Sequence, residues 1–584
     1  MSPGALVQRR RLVVGVLVVL LLALLAALAW VGWKGSVAVV ALRDAQGAAG
    51  DARSAIARGD AGEGARHLGR VTDALARARA ATQDPVWRAA SAVPFLGGNL
   101  RAVGEVSAAL DELSREGVAP VVEVVSFVAS GGLAPRDSQV DVAAISGAAP
   151  ALERAAEAGE RAAARLADLD TGSLLPAVGV QVEEVRAQVE EVASALRTGA
   201  RVSALLPPML GAEGERRYLV LFLNSAELRS TGGLVGALTV LEADEGRLSM
   251  ADTTAGTDLP RFAEPVLPLE EAELELHTEA LGRTVQGVAL TPDFPRTAEL
   301  AAAMWREATG ERVDGVIGAD VVALAGVLEG TGPVRTADGT EISAENAVDV
   351  LLHESYLRLG QEESDAFFAD AARRVFERVV SGGGDFSAVV DRLAGASREG
   401  RVLVWSRDAE EQAVLVDAGL SGGFLSGAAP RAGGVFLNDA NGGKLDYFLD
   451  SGLDVVRVTC EAGGMRVQAR LALGSRVPAQ GVEDLPRYVT GMADVPAGTI
   501  LVRVTVYGPE GGRLVSTRRE GAEVGARQAT EAGREANLLS VELAPGQTER
   551  LEGEWIVPAQ GAVEVWSTPT TTAPGRLSVP GSCG

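Results

Sequence analysis

The first pattern in the chain is an apolar segment near its start. Residues 12–33 carry no charge, and almost every side chain is hydrophobic. About 20 such residues, at roughly 1.5 Å each along a helix, cross a hydrocarbon core of about 30 Å. Arginines occupy positions 9–11, before the segment, and Lys34 follows it. The positive-inside rule therefore predicts a cytoplasmic tail (1–11), a transmembrane helix (12–33) and an extracellular remainder.

A cleaved signal peptide is the alternative explanation of this segment. The apolar region of a signal peptide usually has about 7 to 15 residues and ends in an A-x-A-like site. The segment here is longer and is flanked by tryptophans at positions 30 and 33, as in an interfacial aromatic belt. We therefore expect an uncleaved signal anchor and a single-pass protein of the cell membrane.

From residue 36 to 205 apolar residues recur at alternating steps of four and three. In the clearest stripe, valine or leucine stands at positions 178, 182, 185, 189, 192 and 196. Such a stripe lies on one face of a helix and needs an apolar partner. The pattern predicts an extracytoplasmic helical bundle or stalk over 36–205. Proline and glycine predict helix breaks at Asp84-Pro85, at Pro94 with Gly97-Gly98, at Ala119-Pro120 and from residue 130.

Residues 216–425 alternate strand-like and helix-like runs. YLVLFL (218–223), LVGALTVLEA and RLSMAD are strand candidates, and ADEGR is a hairpin turn between the last two. Helices are predicted in TAELAAAMWREATG, in AENAVDVLLHESYLRL with Ser343 as its cap, and in DAFFADAARRVFERVV. The last of these spaces Phe368, Ala372, Val375 and Val379 on one core face. The mixture predicts an α/β or α+β domain.

The pattern changes again from about residue 430 to the end. Short β-like runs, namely DVVRVTC, MRVQARLAL, TILVRVTVYG, LLSVELA and AVEVWST, are separated by Gly, Pro and Asn clusters. Five or more such runs predict a β-sandwich over 430–584. The whole chain is then a multidomain protein: a membrane helix, a helical bundle, a central α/β domain and a C-terminal β-sandwich.

The chain has two cysteines, Cys460 and Cys583. An extracellular location favours a disulfide between them, which would fasten the Thr/Pro-rich tail to the β-domain. Two unpaired thiols are the alternative, since pairing does not follow from sequence alone.

Composition excludes several classes of function. A net charge of −24 disfavours sequence-independent nucleic-acid binding, and 4% aromatic residues disfavour base-stacking surfaces. No thiol lies near any of the three histidines, so ordinary zinc-ligand spacing is absent from the sequence. The GLSGG pattern around Ser421 has no later histidine to act as its base, and neither lysine begins a P-loop pattern.

The stretch NSAELRSTGG, at 224–233, is the first site candidate because charges follow an apolar strand directly. Adjacent glycines there allow dihedrals that other residues avoid. Glu227 and Arg229 have two possible roles. In the first, they form an internal ion pair that fixes the loop. In the second, Arg229 binds an anionic ligand in a cleft shared with Asp252 or Asp258, and Glu227 orients Arg229.

A second set of candidates lies in the same domain. Asp252 and Asp258 follow a predicted strand, where they could hold Mg²⁺, and Arg373 and Arg374 lie on a late predicted helix, where they could bind phosphate. The alternative is that all four are surface charges or members of buried pairs.

The block YLVLFLNSAELRSTGGLVGALTVLEADEGRL resembles a bacterial envelope family known as domain of unknown function number four thousand and twelve. Further blocks resemble that family in the same order: PFLGGNLRAV, TPDFPRTAELAAAMW, VDGVIGADVVALAGVLEGTGPV and NGGKLDYFLD. The resemblance covers most of the chain after the anchor and implies a cell-envelope protein. It implies no activity.

A weaker resemblance in layout is to LytR-CpsA-Psr proteins, from residue 313 to the helix that bears Arg373 and Arg374. It implies transfer of a glycopolymer from a polyprenyl-pyrophosphate carrier to the cell wall, with arginines and Mg²⁺ against the pyrophosphate. An early Asp and Arg motif of that family is not evident here. We therefore favour an envelope protein that binds a polymer, a lipid-linked precursor or a protein partner, and we keep the transferase as the alternative.

Overall fold

The computed structural model describes residues 3–57, 61–94, 97–129, 131–461, 464–558 and 562–579. The chain divides into two compact units. The first comprises Met1–Gly132 and Ala143–Ala204, and the second comprises Leu133–Val142 and Leu205–Gly584. The two units are described separately below.

The first unit is helical. One helix near the N-terminus is long and apolar enough to cross a membrane, a test that signal sequences also pass. It continues past the predicted end at residue 33, because the sequence up to Ala57 contains no proline and favours helix. The helices are α1 (Pro3–Ala57), α2 (Ala61–Thr82), α3 (Pro85–Ala90), α4 (Gly97–Glu112), α5 (Ala119–Ala129), α6 (Val142–Ala167) and α7 (Pro176–Met209).

Apolar stripes hold these helices together in two places. Ala45 of α1 packs with Ala74 and Leu75 of α2. A larger cluster joins α4, α6 and α7, and its buried members include Val106, Leu166, Val182 and Val189. The last two belong to the predicted valine stripe, so that stripe has the partner helices it requires.

The predicted helix breaks are correct except one. Asp84 caps α3 by accepting a hydrogen bond from the Val86 amide at 2.9 Å, and α4 begins at Gly97. The predicted break at Ala119-Pro120 is wrong, because a π-helical turn (Leu113–Val118) leads directly into α5. Pro120 lacks the N–H that would bond to the preceding turn, and that preceding turn is the one with π-helical geometry.

The middle of the second unit mixes helices with one main sheet. Its elements are β1 (Arg216–Asn224), β2 (Leu234–Asp244), β3 (Arg247–Met250), β4 (Thr254–Ala255), α8 (Glu271–His277), α9 (Ala280–Arg283), α10 (Phe294–Thr309), β5 (Gly315–Asp320), α11 (Val321–Thr331), β6 (Val334–Arg335), β7 (Glu341–Ile342), α12 (Ala347–Asp349), α13 (Ser355–Arg358), α14 (Gln361–Val380), α15 (Phe386–Arg398), β8 (Val402–Ser406) and α16 (Ala409–Asp417). The sheet order is β3-β2-β1-β5-β8, with β4 beside β2. Only β1 and β5 are parallel; the other pairs are antiparallel.

Most predicted elements of this region are confirmed, and one cap is wrong. YLVLFL is within β1, and ADEGR turns between β2 and β3. The helix after Ser343 begins only at Ala347, because the Ser343 hydroxyl donates to the Glu345 carboxylate at 2.6 Å instead of capping the helix. Strand β8, which closes one edge of the sheet, was not predicted.

The rest of the second unit is rich in strands. They are β9 (Gly433–Asp439), β10 (Leu449–Glu461), β11 (Gly464–Ser475), β12 (Ile500–Tyr507), β13 (Arg513–Arg519), β14 (Ala522–Glu523), β15 (Arg527–Glu531), β16 (Arg534–Leu543), β17 (Thr548–Val557), β18 (Val563–Ser567) and β19 (Arg576–Val579), with the short helix α17 (Arg487–Thr490). One sheet has the order β10-β11-β17-β13-β14, and the other has β15-β16-β12-β9-β18-β19. All five predicted runs are strands, and one apolar cluster contains residues from both sheets.

Candidate functional site

The chain turns sharply after β1. The Asn224 side chain accepts a hydrogen bond from the Ala226 amide at 3.0 Å, and the Leu234 amide donates to the Glu227 carbonyl at 2.9 Å. Gly232 has a φ of +120°, and a Cβ at Gly233 would lie 2.5 Å from the Asn224 carbonyl. Both glycines are therefore required by the backbone of this loop.

Glu227 lies in this loop between two cations. Its carboxylate accepts hydrogen bonds from the Arg229 guanidinium at 2.5 Å and from Lys444 Nζ at 2.7 Å. All three side chains are at least 85% buried, with exposed fractions of 10, 12 and 15% for Glu227, Arg229 and Lys444. Lys444 comes from the segment between β9 and β10, so the pair joins the two parts of the second unit.

Two more carboxylates complete this polar cluster. Asp446 accepts a hydrogen bond from the Leu228 amide at 2.8 Å. Asp439 lies 3.9 Å from the Arg229 guanidinium, which also donates to the Leu228 carbonyl at 2.9 Å. The geometry matches the structural alternative for Glu227 and Arg229, an internal network that fixes the loop. Ligand binding by these two residues stays a prediction.

The cluster perturbs its own carboxyl groups. Burial raises the pKa of Glu227, but the charges of Lys444 and Arg229 outweigh it, and the net pKa lies below the ordinary value. Burial, with the nearby Glu227 charge, raises the pKa of Asp439 to about 6. Burial also raises the pKa of Asp446 well above its usual value. Two aspartates here thus resist ionisation while Glu227 remains charged.

The other predicted site residues lie elsewhere. Asp252 and Asp258 are exposed on either side of β4. Arg373 and Arg374 lie on α14 and form ion pairs with Asp370 at 2.5 and 3.4 Å. α14 packs against β3 and β4, so the two sets are on neighbouring elements, but no hydrogen bond or ion pair joins them among the described residues.

The arrangement of the acidic side chains does not support the predicted Mg²⁺ site. Within the described ranges, no group of three or more His, Cys, Asp or Glu side chains is placed to hold a metal ion. Asp252 and Asp258 as magnesium ligands therefore remain a prediction from sequence.

A cavity of about 270 Å³ lies between the sheet and helices α11, α14 and α15. The alternating side chains of β1 show which face of the sheet borders this cavity. On β1, Leu219, Leu221 and Leu223 point to one face and are at most 2% exposed, packed in a core with α10. Val220 and Phe222 point to the other face, line the cavity and are only partly buried.

Helix α14 supplies the opposite wall of the cavity. The four residues predicted as its core face, Phe368, Ala372, Val375 and Val379, all line the cavity. The stripe was therefore correctly placed on one helix face, but that face borders an open apolar space rather than packing fully against the sheet.

The few polar groups in the cavity wall are already hydrogen-bonded. The Asn224 amide donates to the Tyr356 hydroxyl. Asp320 caps α11 through the Ala323 amide at 2.8 Å and accepts from Arg401 at 2.7 Å. Lys444 lies 5.6 Å from the centre of the Tyr356 ring, so one end of the cavity adjoins the polar cluster. The wall offers an occupant mainly apolar contact.

Sequence reasoning missed the partners of the loop and the cavity itself. Lys444 is the only lysine after Lys34 in the sequence, and it lies with Asp446 in the block NGGKLDYFLD. This single cation close to an aspartate was the available signal. The loop also contacts the tail, since the Thr568 hydroxyl donates to the Ser230 carbonyl at 3.1 Å. Cys583 lies outside the described residues, and its pairing with Cys460 stays a prediction.

Comparison with known proteins identifies part of this region. No curated protein matches the chain. Residues 213–356, about a quarter of the chain, match the model of a family described as a protein of unknown function (DUF4012). The match includes β1, the loop with Glu227 and Arg229, and Tyr356 of the cavity wall. The match to DUF4012 falls on the ELR-containing block, as the sequence predicts.

Proposed function

We propose that this chain is a single-pass envelope protein that binds the apolar chain of a lipid, or of a lipid-linked envelope precursor, in the cavity beneath α14. The observation that carries the proposal is the apolar cavity of about 270 Å³ between the sheet and three helices. The proposal also takes the bulk of the chain to be extracytoplasmic, with its helices forming a bundle and its two C-terminal sheets a β-sandwich.

The energetics of an empty cavity support an occupant. Apolar surface that neither protein atoms nor a ligand cover loses favourable packing contacts, and this loss grows with the size of the cavity. A much smaller engineered apolar cavity, of about 150 Å³, stays dry and takes up benzene. A hydrocarbon chain would therefore gain free energy by entering this one.

The lining favours a hydrocarbon chain over a head group. Asn224, Asp320 and Tyr356 already have partners within the protein, so a polar ligand group would have to displace a buried hydrogen bond. The remaining lining side chains are apolar or glycine. The ligand's head group would thus lie outside the cavity.

The anchor supports the same proposal. An apolar helix at the N-terminus would keep the chain beside a membrane, which is the source of lipid chains. Three arginines before the apolar segment favour a cytoplasmic N-terminus and an external remainder.

Lipid binding can be tested on the full chain, extracted from membranes in mild detergent. Native mass spectrometry should show a co-purifying lipid. Replacing Ala372→Phe places a ring in the cavity and should reduce the lipid-bound fraction strongly, because Ala372 lines the cavity. Ala366→Phe is the matched control, since Ala366 is exposed on the same helix. A lipid-free wild type, or equal loss in both variants, would contradict the proposal.

A glycopolymer transferase remains the second candidate. An apolar cavity beside the helix that bears Arg373 and Arg374 favours it, since a polyprenyl carrier has a long apolar chain. Against it, both arginines are paired with Asp370 and Glu227 holds Arg229. Incubation with a polyprenyl-pyrophosphate-linked glycan, Mg²⁺ and a peptidoglycan acceptor should release polyprenyl monophosphate and leave the glycan phosphate joined to an acceptor hydroxyl if the protein is a transferase. Lipid binding without turnover would support the binding function alone.

A further inference from the structure

A second, larger cleft lies among the C-terminal strands and has a different character. Its volume is about 580 Å³, and it runs between β13 with β14 on one side and β15 with β16 on the other. Sites for small ligands commonly have about 300 to 1,000 Å³. In contrast to the apolar cavity, most of the lining side chains here carry hydroxyl, amide or charged groups.

Some of these groups are fixed by bonds within the wall. The Asn537 amide donates to the Thr517 hydroxyl at 3.0 Å, and the Ser516 hydroxyl donates to Glu554 at 3.1 Å. These bonds cross from one strand to another, because Asn537 belongs to β16 and Thr517 to β13. The wall is therefore held in place before any ligand arrives, which lowers the entropy lost on binding.

Other lining groups are exposed and free to bind. Glu523, Gln528 and Thr530 are exposed, and their side chains make no hydrogen bond or ion pair with the described residues. Together they offer a carboxylate, an amide and a hydroxyl. Each of these can accept a hydrogen bond, and the amide and hydroxyl can also donate one. Such groups match the alternating donors and acceptors of sugar hydroxyls.

Strand β13 is a poor site for an added peptide strand, because such a peptide would need its outward backbone groups. The Leu514 amide already donates to the Glu535 carboxylate at 2.8 Å, and the Thr517 carbonyl accepts from the Val524 amide at 3.3 Å. The edge of β13 is therefore covered by its own neighbours, which disfavours strand addition.

Charge disfavours a polyanion. Arg513 is the one cationic residue of the lining, and Glu523 and Glu535 are its two carboxylates, so the wall is slightly acidic. A polyanionic ligand would meet repulsion there, whereas a neutral hydroxyl-rich ligand would not.

We propose that this cleft binds a short segment of a neutral glycan. The inference goes beyond lipid binding and rests on a separate cavity, so either proposal can fail without the other.

The test uses the full chain in detergent with three neutral probes, maltohexaose, cellohexaose and chitohexaose, and with hexagalacturonate as an anionic probe. Saturation-transfer NMR should detect at least one neutral hexasaccharide, and titration calorimetry should give its affinity. The double variant Gln528→Ala/Thr530→Ala removes two ligand-facing groups and should weaken binding by about tenfold or more.

A matched control has the same substitution types outside the cleft. Thr459 on β10 and Gln480 in the loop after β11 are both exposed and do not line the cleft. Thr459→Ala/Gln480→Ala should bind like the wild type, and so should the lipid-cavity variant Ala372→Phe. The proposal is overturned if no neutral hexasaccharide binds, if only hexagalacturonate binds, or if the cleft variant and the control lose binding equally.

Discussion

Lys444 donates a hydrogen bond to Glu227 at 2.7 Å, although 217 positions separate them in sequence. The first lies among the C-terminal strands and the second lies in the loop after β1. Glu227 also holds Arg229, so one carboxylate bridges two buried cations. The loop in the segment that matches DUF4012 is thus bound directly to the strand-rich region.

Replacing Lys444→Met should destabilise the protein. The change leaves Glu227 with one cation instead of two in a site that is about 90% buried. Removing one partner of a buried pair costs about 3 kcal/mol, which lowers the melting temperature of a large domain by roughly 6 to 12 °C. Thermal unfolding of the full chain in detergent measures this. Arg335→Met is the control, because its pair with Glu341 is exposed and worth little.

Arg229→Lys should also lower stability, although the charge is kept. The guanidinium reaches Glu227 and the Leu228 carbonyl at the same time, and a lysine ammonium lacks that fork geometry. We expect a loss of about 1 to 2 kcal/mol by the same thermal measurement. An unchanged melting temperature together with loss of envelope function would instead favour a ligand-binding role for Arg229.

Stability should fall as the pH rises toward and through 6. Burial raises the pKa of Asp293 and of Asp439 to about 6, above the ordinary value of 3.8. The unfolded chain loses these protons first, so the stabilisation present below about pH 4 is lost as pH passes through 6. The loss is at most about 3 kcal/mol per group. Melting curves between pH 4 and 7.5 should show it, and Asp293→Asn or Asp439→Asn should flatten the slope.

Cys460 and Cys583 should form a disulfide in protein exported from an oxidising compartment. The bond would join two residues 123 positions apart, for which the chain-entropy model gives about 4 to 5 kcal/mol. Peptide mapping without reduction should recover the cross-linked pair. Two alkylated free thiols in exported protein would contradict the pairing.

The topology can be checked with protease added to intact spheroplasts. Because three arginines precede the apolar segment of α1, nearly the whole chain should be external and digested. Lysed spheroplasts provide the control for protease activity. Protection of the large C-terminal part in intact cells would place it in the cytoplasm and overturn the assignment.

Local patterns in the sequence were enough to predict those helices and strands whose own residues form a recognisable apolar repeat or run. The valine stripe of α7 was predicted because burial on one helix face leaves a repeat of about 3.6 residues. Strand β1 was predicted as a continuous apolar run, and the five C-terminal strands as short β-like runs between turn residues. Strands β5, β8, β9, β13 and β17 were among those missed. Their place in a sheet depends on partner strands far away in the sequence, such as β1 for β5, β12 for β9 and β11 for β17.

The sequence by itself determined the apolar N-terminal segment, the order of the three regions and the block that matches DUF4012, because each depends on residues close together in the chain. Only the tertiary structure decided the role of the charged loop. Glu227 and Arg229 needed a third partner, and Lys444 reaches them only when the strand-rich region folds against the central sheet. The tertiary structure also decided that a cavity is present beside α14. The stripe on α14 specifies an apolar face, but whether that face meets side chains or open space depends on the distance to the sheet, which no local pattern encodes.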